Sequence, residues 1–159
     1  MRPSALIAGF VLAASSVAAA QAGPDGKGGN VMLHLDALTL APQHVPGGIN
    51  LDWGAFNNRY LAAGGRLGVV FIDGQYQFLL ANSTQIHIPI GDVAVIVPAL
   101  NPGLYLPTGA FGVSFSCAGT LKFSDFYVGA EFETFIFLSG HTTLFPGPHL
   151  VGLVAGMYY

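Results

Sequence analysis

Residues 111–133 read FGVSFSCAGTLKFSDFYVGAEFE, and their alternation decides the fold class. Phe111, Val113, Phe115 and Cys117 fall on one parity, Gly112, Ser114 and Ser116 on the other. Beyond Ala118-Gly119, Leu121 and Phe123 alternate with Lys122 and Ser124. Phe126, Val128, Ala130 and Phe132 then share a side opposite Glu131 and Glu133. Successive side chains of a strand point to opposite faces, so a period of two predicts strands with one apolar and one polar face.

The same period runs outward from this stretch. Val31, Leu33, Leu35 and Ala37 oppose Met32, His34 and Asp36. Residues 67–72 form an apolar run ending at Asp73-Gly74, a hairpin signal. Tyr76, Phe78 and Leu80 alternate with Gln77 and Leu79, and Ile86, Ile88 and Ile90 with Gln85, His87 and Pro89. Residues 82–84 (Asn-Ser-Thr) and 101–103 (Asn-Pro-Gly) read as turns, and residues 42–48 and 139–148 as loops. In residues 93–100 the positions between Val93, Val95 and Val97 are apolar too, which predicts a strand buried on both faces. Pro89 and Pro98 cannot donate to a ladder, so they push their segments toward edges or bulges.

Residues 50–65 support two readings. Trp53, Phe56 and Tyr60 have helical spacing, with Asp52 as a cap and Gly64-Gly65 as a stop; the alternative is strand and loop. A last strand runs over about residues 150–159. The whole reads as about eight to ten strands of one all-β domain.

Composition narrows the class. Of 159 residues, 52% are hydrophobic and 8% are charged, with 5 Lys+Arg against 8 Asp+Glu. Disordered chains and coiled coils carry far more charge. Nucleic acid is excluded as a partner because phosphate binding needs a dense basic surface. Residues 1–22 read as a secretory signal peptide: Arg2, an apolar run over residues 5–14, and Ala20-Gln21-Ala22 as the cleavage site. Residues 23–29 (GPDGKGG) read as a flexible tail and residues 30–159 as the β domain. The single cysteine, Cys117, predicts a small buried residue, with an intermolecular disulfide as the alternative.

So apolar a chain needs a large core, a lipid contact or copies of itself to cover its surface. With the apolar face outward, a polar interior would hold His34, Asp36, Arg66, Gln77, Gln85, His87, Ser114, Ser116, Lys122, Glu131 and Glu133. That is the layout of a transmembrane β-barrel. Arg66 and Lys122 would face Asp36, Glu131 and Glu133 there, since a buried charge needs a partner. Trp53, Tyr105, Tyr127, Tyr158 and Tyr159 are candidates for interfacial girdles.

The chain end carries a resemblance. Tyr159, Met157, Ala155, Leu153 and Val151 alternate with the small Gly156 and Gly152. An alternating apolar strand closed by an aromatic residue resembles the C-terminal strand of small outer-membrane β-barrel proteins. Residues 126–131 (FYVGAE) resemble the late strands of the same group. The resemblance implies a closed barrel of about eight strands and a bilayer partner. It also implies a membrane-insertion signal at Leu153, Met157 and Tyr159. A soluble secreted β-sandwich or jelly-roll, binding a small ligand or assembling with copies of itself, is the alternative.

Chemical motifs are absent. There is no His-Glu-x-x-His, no G-x-S-x-G elbow and no phosphate-binding glycine loop, and no cofactor or metal site is read from the chain. His34 and Asp36 share a face, as do Glu131 and Glu133, and His141 and His149 flank a Pro-Gly loop. Each reads as a structural pair before a catalytic or metal-binding one. A lipid-acting barrel enzyme would use His34 or His87 with Glu131 or Glu133.

Overall fold

The computed structural model describes residues 23–39, 47–72, 75–139 and 149–159. The signal-peptide reading, His44, His141 and the turn residues Asp73 and Gly74 lie outside these residues. The strands are β1 (Gly29–Thr39), β2 (Gly48–Phe56), β3 (Leu61–Ile72), β4 (Gln75–Ile86), β5 (Ile88–Ile90), β6 (Ala94–Leu106), β7 (Ala110–Phe123), β8 (Phe126–Ser139) and β9 (His149–Tyr158).

Apart from β4 and β5, sequence neighbours pair antiparallel, β1 pairs β9, and β4 pairs β6. The sheet therefore closes into an eight-stranded barrel. Closure removes the free edges that a sandwich would keep, so the β-sandwich alternative does not hold. Short β5 continues β4 in register on β6: Gln85 pairs Ala99, and Ile88 pairs Ile96. Apart from β5, the strands are 9 to 14 residues long. A tilted strand needs about 9–11 residues to cross a bilayer.

Several local readings change. Residues 50–65 contain no helix; β2 and β3 occupy them, and Asp52 pairs Arg66 across the ladder. Asn82-Ser83-Thr84 lies inside β4 and Asn101-Pro102-Gly103 inside β6. Turn-forming residues are tolerated here because the β4–β6 ladder is interrupted between the pairs Ala81–Gly103 and Thr84–Leu100, where Pro102 sits. Pro98 sits where β6 passes from β4 to β5. In both places the missing N–H costs no ladder bond on that side.

Residues 93–100 are not buried on both faces. Val95 and Val97 point inward at 4% and 1% exposure, while Ile96 and Leu100 stand outside. The apolar residues of both parities have two different apolar environments, the lumen end and the outer wall. Cys117 is likewise exposed, because it shares the outward parity of Phe115.

Two apolar clusters close the lumen. At the end holding the termini, Met32, Phe56, Tyr127 and Tyr158 are at 0–2% exposure. At the opposite end, Val70, Tyr105, Phe135 and Leu150 are each at 1%. Tyr105, Tyr127 and Tyr158 therefore fill the lumen and form no girdle, since their parity points inward. Trp53, Tyr60, Phe123, Phe126 and Tyr159 are the exposed aromatics toward the termini end.

Residues 23–28 are not a free tail. Pro24–Gly26 form a 3-10 turn, and the amides of Gly28 and Gly29 donate to the Tyr159 carbonyl at 2.8 and 3.0 Å. Lys27 pairs Asp125 at 2.9 Å, and Lys122 pairs Asp25.

Candidate functional site

Between the two apolar clusters lies a belt of polar side chains, all on inward parity. Asp52 on β2 is its centre. Arg66 grips it with two donors, Nε to Oδ1 at 2.6 Å and Nη2 to Oδ2 at 3.2 Å. The third guanidinium edge donates from Nη1 to Glu133 Oε1 on β8. One arginine thus spans the lumen from β3 to its far wall. Its planar fork suits this role, because a buried charge must be paired and its donors satisfied.

Ser83 Oγ and Gln85 Nε2 donate to Asp52 Oδ2 at 3.0 and 3.1 Å. His34 Nδ1 bonds Glu131 Oε1. Its Nε2 lies 3.5 Å from Asp52 Oδ2 without hydrogen-bond geometry. Asn50 Nδ2 donates to Asp36 Oδ2 at 2.9 Å. Toward the termini end, Asn30 Nδ2 donates to Gln85 Oε1 at 2.7 Å. His87 stands between Gln85 Oε1, 3.1 Å from Nε2, and the Tyr158 hydroxyl, 3.0 Å from Nδ1. With its proton on Nε2 the ring donates to the carbonyl and accepts from the hydroxyl. Gln77 lies apart from the belt, accepting from Thr108 Oγ1 at 3.1 Å, and Ser114 accepts from Asn101 Nδ2 at 3.2 Å.

His34, Asp36, Arg66, Glu131 and Glu133, read from the sequence as interior candidates, come together here, each at 4% exposure or less. Ser116 is also buried. His87 joins the belt through Gln85 and meets neither glutamate directly. Lys122 faces away from it, at the termini-end rim against Asp25. That contact holds the Asp25 carboxyl below its ordinary range, through the Lys122 hydrogen bond first and then the charges of Lys122, Lys27 and Arg59. His149 stacks on Phe132 outside the belt, with ring centroids 5.7 Å apart.

Asp52, Asn50, Asn30, Ser83 and Asn101 are members the sequence analysis did not single out. The signal was present: Asn50 and Asp52 alternate with Leu51 and Trp53, but the helical spacing of the aromatics competes with it.

The outer wall is the reverse of the lumen. Leu33, Leu51, Leu67, Phe78, Phe132 and Leu153 are exposed at 38% or more. Among the described residues, every Asp, Glu, Lys and Arg lies in the lumen, in the turns at the termini end, or at that end's rim. None projects from the outward face of a strand.

No protein-family model matches this chain, and no curated protein matches it in sequence. Its structure is similar to the backbone structure of the Yersinia pestis outer membrane protein Ail in a phospholipid bilayer nanodisc. The TM-score is 0.53 at 11% identity, over 84% of this chain and 99% of that one. What the two share is the barrel fold. At that identity the likeness says nothing of shared side-chain chemistry, so the belt and the wall stand on their own geometry.

Proposed function

We propose that this chain is an exported outer-membrane barrel whose role is structural or adhesive, with residues 1–22 as its cleaved signal peptide. The observation that carries the reading is the uncharged outer wall around a hydrogen-bonded polar belt. In water such a wall would expose contiguous apolar surface on all sides, whereas a bilayer covers it at no cost. The partner is then lipid, and copies of the chain are not needed to cover the wall. The fold shared with Ail, a protein studied in a phospholipid bilayer, supports the same location.

Solute passage is disfavoured by the two apolar clusters that close the lumen. Catalysis is disfavoured too, because His34 and Glu131 bond each other beneath those clusters. The insertion signal falls on Leu153, Met157 and Tyr159, which project outward from the last strand at 62%, 39% and 57% exposure. That strand pairs β1 and so joins the two ends of the chain.

The test is to express the full chain in a Gram-negative host and fractionate it. Recovery in the outer membrane, with a gel mobility that shifts on boiling, is the expected result. Soluble recovery in periplasm or medium would refute the reading.

A further inference from the structure

The belt contains four carboxyl groups against one arginine and the histidine that touches them. Asp36, Asp52, Glu131 and Glu133 are all buried. Arg66 supplies one positive charge, and a protonated His34 would supply one more. With all four carboxyls ionised, two negative charges would remain, in a lumen where an unpaired ion is costly.

The excess is localised. One carboxylate oxygen from each of Asp36, Glu131 and Glu133 lies within 4.8 Å of the others. Each of these carboxylates is anchored by one oxygen and bare at the other. Asp36 Oδ2 takes Asn50, Glu131 Oε1 takes His34, and Glu133 Oε1 takes Arg66. Asp36 Oδ1, Glu131 Oε2 and Glu133 Oε2 accept no hydrogen bond. Three neighbouring buried carboxyls that each carry an orphaned oxygen are rare in a folded protein, where buried acceptors are nearly always paired.

A bare backbone position lets one of these carboxylates lie close against the strand. Gly152 on β9 is the cross-strand partner of Asp36 on one side and of Glu131 on the other. A Cβ at Gly152 would stand 2.6 Å from Asp36 Oδ1. It would also stand 2.8 Å from the Leu35 carbonyl oxygen, so any larger residue displaces the Asp36 carboxylate.

We propose that Asp36, Glu131 and Glu133 bind a hard divalent cation of the Ca2+ class inside the barrel, over the inner face of Gly152. All-oxygen carboxylate sites select Ca2+, Mg2+ or Mn2+ over softer metals. Ca2+–oxygen distances of about 2.3–2.6 Å put opposed ligands about 5 Å apart at most, which matches the oxygen cluster. The cation holds the three carboxyls in their ionised form and balances their charge. The anchoring donors Asn50, His34 and Arg66 fix the orientation of each ligand, as outer-shell partners of metal ligands do.

The experiment folds the full chain into detergent micelles with millimolar CaCl2 or with EDTA, removes free metal by desalting, and measures bound calcium by mass spectrometry. Folding is scored separately by the heat-dependent mobility shift, so a failed barrel is distinguished from a failed site. The expected result is one Ca2+ per folded barrel, reduced about tenfold or more in Asp36→Asn and Gly152→Ala. Asp36→Asn keeps an acceptor for Asn50 while removing the charge. Calcium no higher than in the EDTA sample, or unchanged in both variants, overturns the proposal. Should both variants fail to fold, Mn2+ in the wild-type barrel decides by NMR. Broadening centred on residues 36, 131, 133 and 152 supports the site, and broadening centred on the rim at Asp92 or Asp125 overturns it.

Discussion

Arg66 shows how one side chain can hold a lumen together. It is fully buried and bonds carboxylates on two strands, Asp52 and Glu133. Removing it leaves both without their cation, and Asp52 with only the neutral donors Ser83 and Gln85. Arg66→Met should therefore cost about 3–5 kcal/mol of stability, the range for breaking a buried pair by deleting one partner. Urea unfolding of the folded barrel in detergent measures this, and a loss below about 1 kcal/mol, the scale of an exposed pair, would contradict the network. Leu153 shows the opposite environment. It stands outward near the middle of β9, paired with Leu35 and Ala130. Leu153→Arg should cost about 2–4 kcal/mol in a bilayer, whereas Phe123→Arg near the termini-end rim should cost about 0–1. Equal costs at the two positions would place the wall in water. At this scale the sequence was readable where parity was clean, as at His34, Glu131 and Glu133. Asp52 escaped because Trp53, Phe56 and Tyr60 offered a helix that only the ladder to β3 rules out.

Among the elements, the 3-10 turn Pro24–Gly26 and strand β9 do the closing. The turn is tied down by Lys122–Asp25 and Lys27–Asp125. Because the Asp25 carboxyl is held below its ordinary value of 3.8, its contribution is present above that pH and is lost as pH falls through the lowered value. NMR titration should show the Asp25 carboxylate ionised below pH 3.8, and Lys122→Met should move its midpoint up toward 3.8. An unchanged midpoint in that variant would mean the contact does not persist in solution. The composition of residues 23–29, three residues of which are charged or proline, hid this turn, because its partners Lys122 and Asp125 lie almost a hundred residues away in the chain. Strand β9 was legible throughout, since its alternation needs no partner to be seen. Tyr127 on the neighbouring strand is seated against one of its glycines: a Cβ on Gly156 would come within 2.5 Å of that ring. Such a fit between a bulky and a bare position is invisible until the register is known.

For the whole molecule, the stacking of apolar cluster, polar belt and apolar cluster decides behaviour. An eight-stranded barrel is just wide enough for side chains to fill it. Reconstituted into planar bilayers, the folded chain should produce no discrete conductance steps. Regular single-channel steps would show that the clusters around Tyr158 and Tyr105 part under voltage. The belt is also a folding constraint, since its members come from β1, β2, β3, β4 and β8 and the bonds of His34 to Glu131 and of Arg66 to Glu133 form only when the ring closes.

The all-β class, the apolar-out and polar-in parity and most strand positions were set by the sequence alone, because a period of two is a local property of the chain. So was the paucity of charge on which the proposed bilayer environment of the wall rests. Closure, register and the depth of each residue came only with the tertiary structure. They depend on which strand meets which, and β1 meets β9 across the length of the domain. The turns misread at residues 82–84 and 101–103 have the same cause: Pro and Asn signal a turn unless a ladder gap accommodates them. The gathering of Asp36 with Glu131 and Glu133 around a glycine on a third strand is likewise a product of register, which no local pattern encodes.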